Sequence, residues 1–230
     1  MINVLERGEK LAFVGRSGTG KTTIARLTSY ALGCDIFEAG EFMRNRAKAR
    51  GSQVDTDSQA LQLEDDYAVD GEMLALLANP EWTGVFHGRT VRLLAEGLIK
   101  ENKLKMYKFL MMAVECRPEV RAARGLEKYR RKYNSDATQS DVLQYQAERD
   151  HADNKRYLQE FGETHGLRRA GYLTDTRNKF TRGLLLHSDM LRPKQELLTV
   201  LFVLRNFKHI SDTGFALAFM RGLAYSPKKE

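Results

Sequence analysis

Lys10-Leu11-Ala12-Phe13-Val14-Gly15-Arg16-Ser17-Gly18-Thr19-Gly20-Lys21-Thr22-Thr23 decides how the rest of the chain is read. Leu11 to Val14 is a short apolar run of the kind that forms a buried strand, and Gly15 ends it. A glycine-rich turn follows, and Thr22-Thr23-Ile24-Ala25-Arg26-Leu27 opens at helical spacing. The order is strand, loop, helix.

Gly15, Gly20, Lys21 and Thr22 occupy the fixed positions of a phosphate-binding loop, Gly-x-x-x-x-Gly-Lys-Thr. Glycines let successive N–H groups turn inward around phosphate oxygens with no Cβ in the way. Lys21 can reach the β- and γ-phosphates of a nucleotide, and the Thr22 hydroxyl can bind its Mg²⁺. The following helix directs its positive end at the bound anion. ATP is therefore expected on Gly15, Ser17, Gly18, Thr19, Gly20, Lys21, Thr22 and Thr23, with Mg²⁺ on Thr22.

A chain of 230 residues that is 42% hydrophobic suits one ordinary domain with a sizeable core. The net charge of +7 favours an anionic partner, but does not choose among nucleotide, nucleic acid and an acidic membrane surface. Cys34 and Cys116 are far apart and are not joined to histidines at metal-ligand spacing, which points to structural thiols in a reducing compartment. The first residues lack the apolar core of a leader, and Leu197 to Leu204 is too short to cross a bilayer. A cytoplasmic protein is the expectation.

Ile24, Leu27, Thr28, Ala31 and Leu32 give the first helix one apolar face, closed by Gly33. Cys34 to Phe37 reads as a second strand, followed by a helix from Glu38 to near Gly51, a polar loop over Ser52 to Ser58, and a helix from Ala60 to Ala78. Thr83 to His87 reads as a strand, a helix carries Leu93, Leu94, Leu98 and Ile99, and Met106 to Val114 reads as another strand. Arg117 to Arg156 is crowded with basic residues and reads as two helices joined by a polar turn, a flap. Gly171 to Thr176 is expected as the last strand, and apolar helices follow Pro193 and Asp212. Alternating strands and helices imply an α/β fold, a parallel sheet with helices on both faces.

With these landmarks in place, residues 10 to 205 resemble the nucleoside monophosphate kinases, and within them the short archaeal-type cytidylate kinases. Glu38-Ala39-Gly40-Glu41-Phe42-Met43-Arg44 is similar to that family's Ser-Ala-Gly-x-x-x-Arg segment, and His87-Gly88-Arg89 to its Glu-Gly-Arg. Pro118 to Arg124 resembles the start of its lid, Arg149-Asp150-His151-Ala152-Asp153-Asn154-Lys155-Arg156 its Arg-Asp-x-x-Asp-x-x-Arg signature, and Leu173-Thr174-Asp175-Thr176 its Ile-Asp-Thr strand. The resemblance implies a three-layer P-loop NTPase domain over 1–205 with about five parallel strands. Within it, a monophosphate-binding region spans 35–80 and a basic helical lid spans 117–157, and a C-terminal helical extension covers 206–230. It implies phosphoryl transfer from ATP to a nucleoside monophosphate, CMP or dCMP foremost, with Lys21, Arg124, Arg149 and Arg156 catalytic and Gly40, Arg44, Arg89 and Asp153 binding the acceptor.

Arginine suits such a site because it stays charged and offers a fork to phosphate oxygens. Arg121, Lys128, Arg130 and Arg131 read instead as a solvated basic face. Two residues depart from the family pattern: His87 stands where a carboxylate is usual, and Glu38 replaces serine beside the expected acceptor. Two alternatives stay open at this level. One is a kinase of another small acceptor or of nucleic-acid 5′ ends, and the other a nucleotide-dependent nucleic-acid-binding protein without transfer. The oligomeric state is not legible in the sequence.

Overall fold

The computed structural model describes residues 2–50, 63–162 and 182–226. Five parallel strands form one sheet in the order β2-β3-β1-β4-β5: β1 Lys10–Val14, β2 Asp35–Glu38, β3 Gly84–His87, β4 Phe109–Glu115 and β5 Arg182–His187. The helices between and after them are α1 Lys21–Leu32, α2 Ala39–Ala49, α3 Leu63–Ala78, α4 Val91–Lys100, α5 Pro118–Lys132, α6 Gln139–Phe161, α7 Pro193–Asn206 and α8 Asp212–Ala224.

The central strands are apolar on both sides because helices cover both faces of the sheet. Leu11 and Phe13 of β1 join Val85, Leu110 and Met112 in a core closed by α1, α7 and α8. Ala12 and Val14, one residue out of phase, join Phe86, Met111 and Ala113 in a second core closed by α3 and α4. Period-two alternation thus divides one short strand between two cores. Phe13 and Phe86 are fully buried, and truncating either to alanine should cost about 3–5 kcal/mol.

The elements read from sequence fall close to these bounds, with two differences. Met106–Lys108 is a turn of 3₁₀ helix, so β4 begins at Phe109 and not at Met106. The fifth strand lies at Arg182–His187, between the expected last strand at Gly171 to Thr176 and the helix that follows Pro193, where the sequence reading placed no strand. The strand expected at Gly171 to Thr176 and the polar loop at Ser52 to Ser58 lie outside the described residues. At the C-terminal end, Ile210 and Ala218 are buried with Ala31 and Leu201, so α8 contributes to the core beneath α1.

β1 lies between β3 and β4, and the loops leaving all three emerge at the same edge of the sheet. Open parallel sheets bind ligands at this carboxyl edge. The glycine-rich loop, His87-Gly88-Arg89 and the start of α5 converge there.

Candidate active site at the carboxyl edge of the sheet

Gly15 has φ +147°, and a Cβ there would stand 2.3 Å from the Val114 carbonyl oxygen, so the loop passes β4 at a distance only glycine permits. Gly20, at φ +91°, is the N-cap of α1 and supplies no side-chain cap. The first amides of α1 are thereby left to an anion. Thr19 Oγ1 donates to the Arg16 carbonyl at 3.0 Å, and Lys21 Nζ donates to the same oxygen. Lys21 is 7% exposed, and its pKa lies well below the ordinary lysine value, chiefly through burial and then through the charges of Arg89, Arg121 and Arg149. A buried ammonium crowded by guanidinium groups calls for an anion.

The loop opens onto a cleft of about 640 Å³. Ser17, Gly18, Gly20, Lys21, Thr22 and Thr23 line one wall, and Gly40, Arg89, Arg124, Arg149, Asp153 and Arg156 line the others. Gly15 shapes the loop from beneath, and Thr19 is buried behind it, 2% exposed. Arg44 is not on the cleft wall. It lies one turn beyond Gly40 on α2, its charge felt at His87.

Each arginine is positioned from a different direction. Arg89, just past β3, is ion-paired with Asp153 of α6, and Arg156 of α6 with Asp66 of α3. Arg124 of α5 donates to the Ser188 hydroxyl at 3.0 Å and to its carbonyl at 2.7 Å, while the Ser188 hydroxyl itself donates to the Thr19 carbonyl. Arg149 has no hydrogen-bond or ion-pair partner among the described residues. Burial and the neighbouring Arg89 lower its pKa from the ordinary arginine value. Lys21, Arg89, Arg124, Arg149 and Arg156 face only three carboxylates on the cleft wall, Asp66, Asp70 and Asp153. The surplus is positive. One of the three, Asp70, accepts from Thr90 Oγ1 at 2.6 Å, and burial raises its pKa from the ordinary carboxylate value.

Arg121 corrects the reading of a solvated basic face. It is 3% exposed, its Nε donates to the Ser17 carbonyl at 2.9 Å, and both terminal nitrogens reach Asp150 Oδ2 at 3.1 Å. Its position three residues before Arg124 is the available signal, since residues i and i+3 share a helix face. Glu38 does not leave an uncompensated charge near the acceptor region: it is 9% exposed and accepts from Arg26 Nε of α1 at 2.7 Å.

At the end of β3, His87 Nε2 is 3.3 Å from Thr22 Oγ1. Burial, and then the charges of Lys21, Arg26, Arg44 and Arg89, push the imidazole pKa down to about 3, so the ring is neutral near pH 7. Among the described residues no group of three His, Cys, Asp or Glu side chains is gathered as a metal site. The arrangement fits a Mg²⁺ that arrives on nucleotide phosphates and keeps much of its water, with the Thr22 hydroxyl available on the cleft wall.

A family model described as an AAA domain matches residues 14–143, from the end of β1 through α5 into the start of α6. The chain belongs to this AAA-domain family. Among solved structures it is similar to an uncharacterized protein from Eubacterium ventriosum at 9% identity, covering 85% of this chain and 97% of that one with a TM-score of 0.55. It is also similar to a shikimate kinase from Bacteroides thetaiotaomicron at 12% identity, covering 85% of this chain and 98% of that one with a TM-score of 0.50. These likenesses are of fold, and the fold is that of the kinase-like P-loop NTPases. A search of curated proteins found no match. No helix among the described residues is long and apolar enough to cross a membrane.

Proposed function

We propose that the chain transfers the γ-phosphoryl group of ATP to a nucleoside monophosphate, with CMP and dCMP the favoured acceptors. The observation that carries this reading is the excess of positive charge lining one cleft, with Lys21 buried at its base. Lys21 and the loop amides serve one polyanion, and Arg89 and Arg149 stand ready for a second. Phosphoryl transfer needs two anions brought into line and their charge neutralised as the group moves.

In this reading the loop amides and Lys21 hold the donor phosphates, and Arg44, Arg89, Gly40 and Asp153 orient the acceptor phosphate. An acceptor phosphate oxygen bonds to the γ-phosphorus as the bond to the β,γ-bridging oxygen breaks, and ADP leaves. Arg124, Arg149 and Arg156 balance the charge that spreads over the transferring group, a role that arginine's fixed charge and fork geometry suit. Thr22 would hold the Mg²⁺ carried on the donor, which would supply charge neutralisation at the β- and γ-phosphates. The pairing of Arg89 with Asp153 and of Arg156 with Asp66 keeps these arginines aimed into the cleft before ligand arrives.

The reading is tested by ADP release from Mg-ATP with CMP, dCMP, UMP, AMP and GMP, with Lys21→Ala as the blank. Turnover that depends on a monophosphate and vanishes with Lys21→Ala supports it. ATP binding without turnover on any acceptor counts against it and in favour of a nucleotide-gated binding protein.

A further inference from the structure

The hairpin of α5 and α6 carries more than the arginines that enter the cleft. On α6, Tyr145 stands four residues before Arg149, so it continues the cleft-lining row of Arg149, Asp153 and Arg156 outward by one turn, about 6 Å. Tyr129 and Tyr133, one turn apart on α5, meet it from the other helix. The three rings pack pairwise at centroid distances of 4.9, 5.3 and 5.6 Å, and the Tyr133 and Tyr145 hydroxyls are 3.3 Å apart. Both Tyr145 and Tyr133 lie close enough to Arg149 to influence its titration. The seam between the helices is closed without these rings: Ala122, Val142 and Gln146 are buried, and Gly125 lies against Val142 and Gln146. The tyrosines form its flank, half-buried at Tyr129 and Tyr145 and 40% exposed at Tyr133.

A row of cations runs beside them. Arg124, Lys128 and Arg131 recur at i, i+4 and i+7 on α5 and so share a face, which begins at the cleft with Arg124. From Glu127 to Tyr133 four basic residues stand against one acidic residue, and Lys128 and Arg131 are exposed. Cations alone would suit any polyanion. Aromatic faces beside cations suit a polyanion whose repeating unit carries both a phosphate and a flat ring. The rings are tilted 45° to 60° from one another, and a flexible single strand can turn its bases onto such faces where a duplex keeps them stacked inside.

We propose that the flank of this hairpin is a binding track for single-stranded nucleic acid, with Tyr129, Tyr133 and Tyr145 stacking bases and Lys128, Arg131 and Arg149 taking backbone phosphates. The track goes beyond the proposed transfer reaction and does not require it.

The test is fluorescence anisotropy over a range of salt with a 3′-labelled oligodeoxycytidylate of about twelve nucleotides, a length within the usual site sizes. The same strand annealed to its complement and a labelled polyglutamate of matched charge serve as competitors in kind. Wild-type protein should bind the single strand more tightly than either, with log K falling against log salt at a slope of about −2, as three phosphate contacts to a single strand require. Tyr133→Leu, which keeps an apolar side chain and removes the ring, should weaken single-strand binding roughly tenfold. Replacing Lys128 and Arg131 together by glutamine should bring the slope to about −0.7. Equal affinity for strand, duplex and polyglutamate overturns the track, as does affinity that either set of substitutions leaves unchanged, or failure of the wild type to bind the strand at low salt. Should Tyr133→Leu disturb the hairpin, the wild-type comparison of ligands and the Lys128 and Arg131 substitutions, both at exposed positions, still decide. Turnover of a monophosphate is read separately, so its absence leaves the track standing and its presence does not establish it.

Discussion

Arg121 Nε donates to the Ser17 carbonyl at 2.9 Å, so a helix of the basic hairpin is tied to the phosphate loop more than a hundred residues earlier in the chain. The same guanidinium holds Asp150 of α6, which also lies 3.4 Å from Arg16. Loop, α5 and α6 are therefore joined through one buried ion pair. Removing a partner of such a pair leaves an uncompensated charge. Arg121→Ala should lower unfolding stability by about 2–4 kcal/mol in urea titrations, whereas Arg131→Ala, on the exposed side of α5, should change it by less than about 0.5 kcal/mol. Equal effects would mean that Arg121 is no more than part of a solvated face.

That pair also marks where sequence reasoning stops. The phosphate loop is legible because its demands are local: Gly15 must pass the Val114 carbonyl, and Lys21 and Thr22 must follow within one turn. Arg121 looks like any other member of a basic run until α6 brings Asp150 to it from 29 residues away. Glu38 was readable as a charge but not as a neutralised one, since Arg26 lies on a different element. The fifth strand shows a related limit. Leu184-Leu185-Leu186 is a short apolar run that could be strand or link by composition, and only its pairing with Met112, Ala113 and Val114 decides.

Lys21 is held at an energetic disadvantage until an anion arrives. Its folded-state pKa is below the unfolded value, so the unfolded chain binds more protons in that interval, and stability of the nucleotide-free protein rises with pH as 10.5 is approached from below. Lys21→Met should keep or raise the melting temperature without ligand and abolish the increase that Mg-ATP produces in the wild type. Thermal melts with and without nucleotide measure both. A variant that melts lower yet still responds to Mg-ATP would contradict the account.

Glu196, in the first turn of α7, has the opposite sign. Burial pushes its carboxyl pKa up to about 7, with Arg124 opposing, and it is 3% exposed. A folded state that holds this proton more tightly than the unfolded state loses stability as pH rises from about 4.5 to about 7, and the whole penalty is present above 7. Glu196→Gln should therefore stabilise the protein at pH 8, on the order of 1–2 kcal/mol once partial solvent screening is allowed for. The gain should shrink toward zero near pH 4.5. Urea titrations at pH 4.5, 6 and 8 give the profile, and a gain that does not vary with pH would exclude titration of Glu196 as its source.

Arg44 and Arg89 separate acceptor binding from donor binding. A charge-assisted hydrogen bond is worth about 1.5–3 kcal/mol, so Arg89→Ala and Arg44→Ala should each raise KM for the acceptor by roughly tenfold to a hundredfold. KM for ATP should change much less, because neither residue belongs to the phosphate loop. Steady-state kinetics with each substrate varied in turn gives the comparison. A larger effect on ATP than on the acceptor would move these arginines to the donor side.

The proposed reaction requires that the cleft hold two phosphate-bearing substrates and move a phosphoryl group between them. Its most direct measurement is ³¹P NMR of the products formed from Mg-ATP with CMP and, separately, with cytidine. The account predicts CDP and ADP in equal amounts from CMP, nothing from cytidine, and no product with Lys21→Ala. Phosphorylation of cytidine at a rate matching that of CMP, or ADP and inorganic phosphate with no phosphorylated acceptor, would contradict it.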